Sequence, residues 1–208
     1  LRKCYFGDYR FSEDLDFTAT LRLDADRLQQ LVIQAARWSS ERDGPNFEVR
    51  APRVEILRDD YGSETFQVRV YYQGPLQWGG NPRAIRLDVT RDEIVTYLPE
   101  KRGLFHPYSD AQVLGSPTLV SYALVEILAE KIRAIGGQRR FAMSRDLYDL
   151  HHLLQAGLSV ADVAPSLHTK FEARGVDLAA LDVPRFVARQ AEFEADWRRR
   201  LSYLVQST

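Results

Sequence analysis

The apolar pattern of this chain changes period, and that change constrains its fold more than any other feature. As far as residue 90, the clearest apolar runs recur every second residue. Phe66, Val68, Val70 and Tyr72 form one such run, and Ile85, Leu87 and Val89 another, as strands with one face on a core require. From Ser116 onward the spacing becomes helical, starting with an apolar stretch from Leu119 to Ile135 that stops at Gly136-Gly137. Strands early and helices late predict an α+β chain. The composition shifts between Pro107 and Pro117, which sets the expected division at 1–115 and 116–208.

In chain order, residues 1–9 read as a helix end and turn, closed by Gly7-Asp8. Asp24 is the expected N-cap of a helix to about Ser40, with Leu28, Leu31, Val32 and Ala35 as its stripe. Phe47, Val49 and Ala51 alternate as far as Pro52, and Val54 and Ile56 resume the pattern. Gly62-Ser63 is the expected hairpin turn, and residues 73–82 form a Gly/Pro loop. In the C-terminal part, Ser144 is the expected N-cap of a helix through Leu154. Ser159 and Asp162 open a short one, and Asp182-Val183-Pro184 opens a last one lined by Phe186, Phe193, Trp197 and Leu204.

The chemistry is densest in Arg10-Phe11-Ser12-Glu13-Asp14-Leu15-Asp16-Phe17. As one strand, this stretch points Phe11, Leu15 and Phe17 one way, with Glu13 as the exception on that side, and Ser12, Asp14 and Asp16 the other. The two carboxylates then sit on one face with Cα atoms about 7 Å apart, within reach of a common cation. Carboxylate oxygens suit hard dications such as Mg²⁺, and clusters of them build phosphoryl-transfer metal sites. The bland alternative is a pair of solvated charges on an edge strand. Asp88 also faces away from the apolar side of its strand, so a neighbouring placement of the two strands would put three carboxylates on one surface.

Other residues admit two readings each. Lys131 lies on the same helical face as Leu124, Ile127, Leu128 and Ile135. A cation in that stripe finds an anion, snorkels to water or shifts its pKa; snorkelling is the plain reading, and a point charge aimed at a triphosphate the functional one. Asp146 and Asp149 suit the start of a helix through the macrodipole alone. Arg139, Arg140 and Arg145 are either solvated or hold phosphates, and Arg198-Arg199-Arg200 are either a solvated face or a contact to a nucleic-acid backbone. His151 and His152 lack metal-ligand spacing and read as structural.

Bulk properties exclude several classes. A formal charge of −1 gives no global attraction to nucleic acid, so any such contact needs a local basic patch. The single cysteine, Cys4, precludes an internal disulfide and suits a reducing cytoplasm; it reads as a small buried hydrophobe. No apolar run approaches the roughly 20 residues of a membrane helix, and there is no signal peptide. The chain opens Leu1-Arg2-Lys3, without an initiator methionine and close to the acidic stretch, so an upstream piece is expected.

Taken together, "LRK", "RFSEDLDF", "RLDVT" and "EILAEKIRAI…RR…SRDLYDL" resemble the AbiEii/AbiGii-like toxin nucleotidyltransferases of the DNA polymerase β-type superfamily, over about residues 1–155. The resemblance implies a mixed-sheet polymerase β-like core with a helical C-terminal lobe. It implies a Mg²⁺-dependent nucleotidyltransferase, the toxin of a type IV toxin–antitoxin pair, that moves a nucleotide from an NTP to an RNA acceptor. The 3′ end of tRNA is the expected acceptor, with translation blocked as the result. Position by position, Asp14 and Asp16 match the metal pair and Asp88 the third carboxylate. Ser12 and Lys3 match nucleotide-phosphate contacts. Lys131 and Asp146 match the C-terminal motif that contacts the triphosphate and supports catalysis, and Arg139 or Arg140 matches the arginine ahead of it. A winged-helix antitoxin is the implied partner. Transfer to a protein or small molecule is one alternative, and a non-catalytic relative is another, favoured by the absence from this chain of the family's Gly-Gly-Thr turn before the LRK position.

Overall fold

In the computed structural model the described residues are 1–42, 45–58, 64–74, 76, 80–108, 111, 115–138 and 141–205. They form a mixed α+β protein divided into two compact units, Ser12–Glu93 and a second comprising Leu1–Phe11 with Ile94–Thr208. The division therefore falls after Glu93 and not at 115/116. The reason is pairing: β5 (Glu100–Gly103) runs antiparallel to β6 (Thr118–Ser121), so a cut at 115 would separate two bonded strands.

The Ser12–Glu93 unit is a four-stranded mixed sheet with one helix. Its strands are β1 (Leu15–Thr18), β2 (Arg53–Arg58), β3 (Glu64–Tyr72) and β4 (Arg83–Thr90), in the order β1-β4-β3-β2. β1 runs parallel to β4, while β2–β3 and β3–β4 are antiparallel. The helix α1 (Ala25–Ser40) starts as expected, with the Asp24 carboxylate accepting from the Arg27 backbone N–H at 2.7 Å. It buries Leu28, Val32 and Ala36 against Phe66, Val68, Val70 and Val89, so the alternating residues of β3 and β4 do form a core. Leu31 and Ala35 stay exposed, a rotation of the predicted stripe by part of a turn.

Two strand expectations fail. Residues 47–51 form a turn, with only an isolated bridge from Asn46 to Gln73, because Pro52 withholds the N–H that a continued ladder would need. The acidic stretch is a strand only over Leu15–Thr18; Leu15 and Phe17 remain 45% and 44% exposed, since β1 is the sheet edge and lies outside the buried cluster beneath α1. The β2–β3 hairpin is present, but its turn at Gly62-Ser63 lies outside the described residues.

The other unit is mainly helical: α2 (Leu124–Arg133), α3 (Ser144–Gln155), α4 (Val160–Glu172), α5 (Val183–Ala188) and α6 (Gln190–Asp196). Residues 119–121 belong to β6, so the helix predicted from Leu119 begins only at Leu124. The predicted last helix is interrupted at Arg189. The N-cap of α3 is Met143; Ser144 is inside the helix, where its N–H and hydroxyl both donate to Asp196. α4 opens at Ser159 and Asp162 as predicted, where the two form a capping box, and at 13 residues it is not short.

Leu128, Ala129, Ile132, Leu153, Val163, Leu167 and Phe171 make the core of this unit. Gly136, just after α2, sits where a Cβ would lie 2.6 Å from the Phe171 ring, so the chain passes the core only because no side chain is there. A buried ion network spans the unit. Lys170 Nζ donates to Glu126 and Glu130 at 2.5 Å each and to the Ile94 carbonyl at 2.9 Å. Glu126, fully buried, also accepts from the Thr96 and Tyr97 N–H groups, which ties the entry segment to α2.

Candidate functional site

In the Ser12–Glu93 unit, sheet register assembles the acidic residues. Asp16 on β1 is the register partner of Asp88 on β4, and paired residues of adjacent strands point to the same face. The face opposite α1 therefore carries both carboxylates. Asp14 lies on the bend just before β1. One carboxylate oxygen from each of Asp14, Asp16 and Asp88 lies within 4.8 Å of the other two. Gln67, the β3 partner of Asp88, donates to Asp88 Oδ1 at 3.5 Å. Ser12 is exposed.

Three carboxylates so close repel one another, and a dication relieves that repulsion. The donor set is all oxygen, the chemistry Mg²⁺ prefers; octahedral coordination at about 2.1 Å puts ligand oxygens about 3–4 Å apart. A small rotamer change closes the observed spacing to that range, so these residues fit a magnesium ion.

In the helical unit, a second charged cluster forms around Lys131. Its Nζ lies 2.8 Å from Asp146 Oδ1 and 2.7 Å from Asp149 Oδ2. Asp146 and Asp149 are one turn apart on α3, so both face α2, and both are fully buried. Asp149 also accepts a forked pair from Arg10, at 2.8 Å from Nε and 2.9 Å from the terminal nitrogen, and a 2.7 Å bond from the Tyr9 hydroxyl. Burial alone would raise the Asp149 carboxyl. The Arg10 hydrogen bonds and the Lys131 and Arg10 charges outweigh it and hold the pKa at about 2. Burial, reinforced by the charge of Asp149, pushes the Tyr9 phenol well up, so it stays a hydrogen-bond donor.

Lys131 neither snorkels freely nor stands alone: it is anchored by two buried carboxylates. Asp149, Arg10 and Tyr9 belong to this cluster and were not expected there. The available signal was the three-residue spacing of the two aspartates, joined to an arginine immediately ahead of the acidic stretch. Lys3 is exposed, with Nζ 3.4 Å from the Phe105 carbonyl and 5.0 Å from the Tyr108 ring centre. Arg139 and Arg140 lie outside the described residues. His151 and His152 pack with aromatic neighbours, His152 against Tyr148 and Tyr9 at 4.3 and 5.2 Å between ring centres. Burial, followed by the neighbouring His151, keeps His152 below its usual pKa. Cys4 is half-buried.

Among the described residues, no helix is long and apolar enough to cross a membrane. The model of the family described as "Nucleotidyl transferase AbiEii toxin, Type IV TA system" matches residues 1–208. No curated protein matches the chain. The chain belongs to that family.

Proposed function

We propose that this AbiEii-family nucleotidyl transferase, the toxin of a type IV toxin–antitoxin system, uses Mg²⁺ to transfer a nucleotide from an NTP to an RNA acceptor. The 3′ end of tRNA is the expected acceptor, and its modification would block translation in the cytoplasm. The observation that carries this reading is the convergence of one carboxylate oxygen from each of Asp14, Asp16 and Asp88 within 4.8 Å of one another. Asp14 and Asp16 would hold the ion and Asp88 would complete the set. When bound, Mg²⁺ supplies neutralisation of the triphosphate and polarisation of the α-phosphorus. Asp88, with one oxygen turned to Gln67, is suited to accept the proton of the attacking hydroxyl. Ser12 and Lys3 would contact nucleotide phosphates, as would Arg139 or Arg140.

Lys131 and Asp146 act as a pair in this reading. Two carboxylates restrict Lys131 to one direction, so little conformational entropy remains to be lost when it meets a phosphate. Asp146 and Asp149 are thus positioning residues for the lysine. The toxin class implies an antitoxin, here proposed to be a winged-helix protein.

The test incubates the protein with each labelled NTP, Mg²⁺ and total tRNA. Labelled tRNA is expected with one preferred NTP, and Asp16→Asn should reduce it at least 100-fold. Equal labelling by Asp16→Asn would remove the metal site from the mechanism. Label on protein with none on RNA would transfer the proposal to a protein acceptor.

A further inference from the structure

One register step from the acidic row, the same face of the sheet carries three arginines side by side. Arg53 on β2 pairs with Arg69 on β3, and Arg69 pairs with Arg86 on β4. Arg86 precedes Asp88 by two residues, so the row begins about 7 Å from the triad along β4 and crosses the sheet in steps of about 4.8 Å. All three side chains are exposed.

Like charges directly opposite on adjacent strands destabilise a sheet, so fold stability gives no reason for this row. Arg53 is neutralised within its own strand by Glu55. Among the described residues, Arg69 and Arg86 have no hydrogen-bonding or ionic partner. The next row outward on this face holds Tyr71, with the Arg50 guanidinium 4.9 Å from its ring centre. Two unpaired guanidinium forks followed by a stacked aromatic match what a polynucleotide strand presents, phosphates flanked by flat bases. The chain as a whole has a net charge of −1, so the attraction is local.

We infer that Arg69 and Arg86 bind backbone phosphates of the RNA acceptor and lead its strand across the sheet toward the carboxylates. This rests on the proposed transfer to RNA, but it concerns binding and not chemistry. Each guanidinium fork donates to two phosphate oxygens, with specificity left to other contacts.

The experiment measures binding of a fluorescein-labelled single-stranded RNA 12-mer by anisotropy across a salt series, without NTP. Calorimetric titration of NTP with Mg²⁺ is run in parallel. Arg69→Gln/Arg86→Gln should weaken RNA binding at least 10-fold and lower the log–log salt slope by about 1.4, at about 0.7 per lost phosphate contact. Its NTP affinity should be unchanged. Arg53→Gln, already neutralised, and Arg83→Gln, on the opposite face, should leave the slope alone. Circular dichroism confirms folding, since exposed substitutions of this kind change stability little.

Loss of NTP binding with RNA binding intact would assign the arginines to the triphosphate and overturn the inference. An equal effect from Arg83→Gln would reduce the row to general charge and also overturn it. Absence of RNA binding by the parent protein would do the same, while its Mg²⁺-dependent NTP binding would leave the proposed chemistry standing.

Discussion

Asp149→Asn isolates the charge at the centre of the Lys131 cluster, and the structure sets its cost. The native carboxyl is held at about 2 against an ordinary 3.8, a preference for the charged form worth about 2.4 kcal/mol. The isostere keeps one acceptor for Tyr9 and Arg10 Nε but replaces the other oxygen with an amide nitrogen, which cannot accept from the Arg10 terminal nitrogen or Lys131. Removing one partner of a buried ion pair typically costs about 3–5 kcal/mol. Here Arg10 and Lys131 retain 13% and 21% side-chain exposure, so water recovers part of that. A loss of about 2–4 kcal/mol at pH 7 is expected, roughly 5–12 °C in Tm for a chain of this size. The assay is urea denaturation of both proteins at pH 7, 5, 4 and 3. Because the folded pKa is depressed, the native contribution is complete above the unfolded value and fades as pH falls toward the folded one. The advantage of the native protein should thus be constant from pH 7 to 5 and smaller by about 1 kcal/mol at pH 3. An advantage that does not change with pH would show that the loss is packing and not charge. No destabilisation at pH 7 would refute the cluster itself.

Two stability tests address the same unit. Lys170→Met should cost about 3–5 kcal/mol by denaturant midpoint, because it leaves Glu126 and Glu130 buried beside each other without their shared cation; a change under about 1 kcal/mol would mean that water replaces the ammonium. Gly136→Ala should cost about 1–3 kcal/mol, since its methyl meets the Phe171 ring at 2.6 Å, and Gly136→Ala combined with Phe171→Leu should recover part of that loss in a double-mutant cycle.

Much of this protein was legible from local pattern. The Asp24 cap, the α1 helix, the alternation of β3 and β4 and the Ser159–Asp162 capping box depend on residues within a few positions of one another, so the sequence alone determined them. The chemistry of Asp14, Asp16 and Asp88 and the apolar setting of Lys131 were visible for the same reason. What a neighbouring element supplies was not. The length of β1 is set by where β4 offers partners, and the limit of the predicted helix at Leu124 by the pairing of β5 with β6. The side chains on Lys131 come from Asp146 and Asp149, 15 and 18 positions later along the chain, and Asp149 is met in turn by Tyr9 and Arg10, 140 and 139 positions away from it. No periodicity reports such contacts. The arginine row is the plainest case: three ordinary charges far apart in sequence become neighbours only through register, which the hydrophobic patterns of the paired strands and the turns between them decide together.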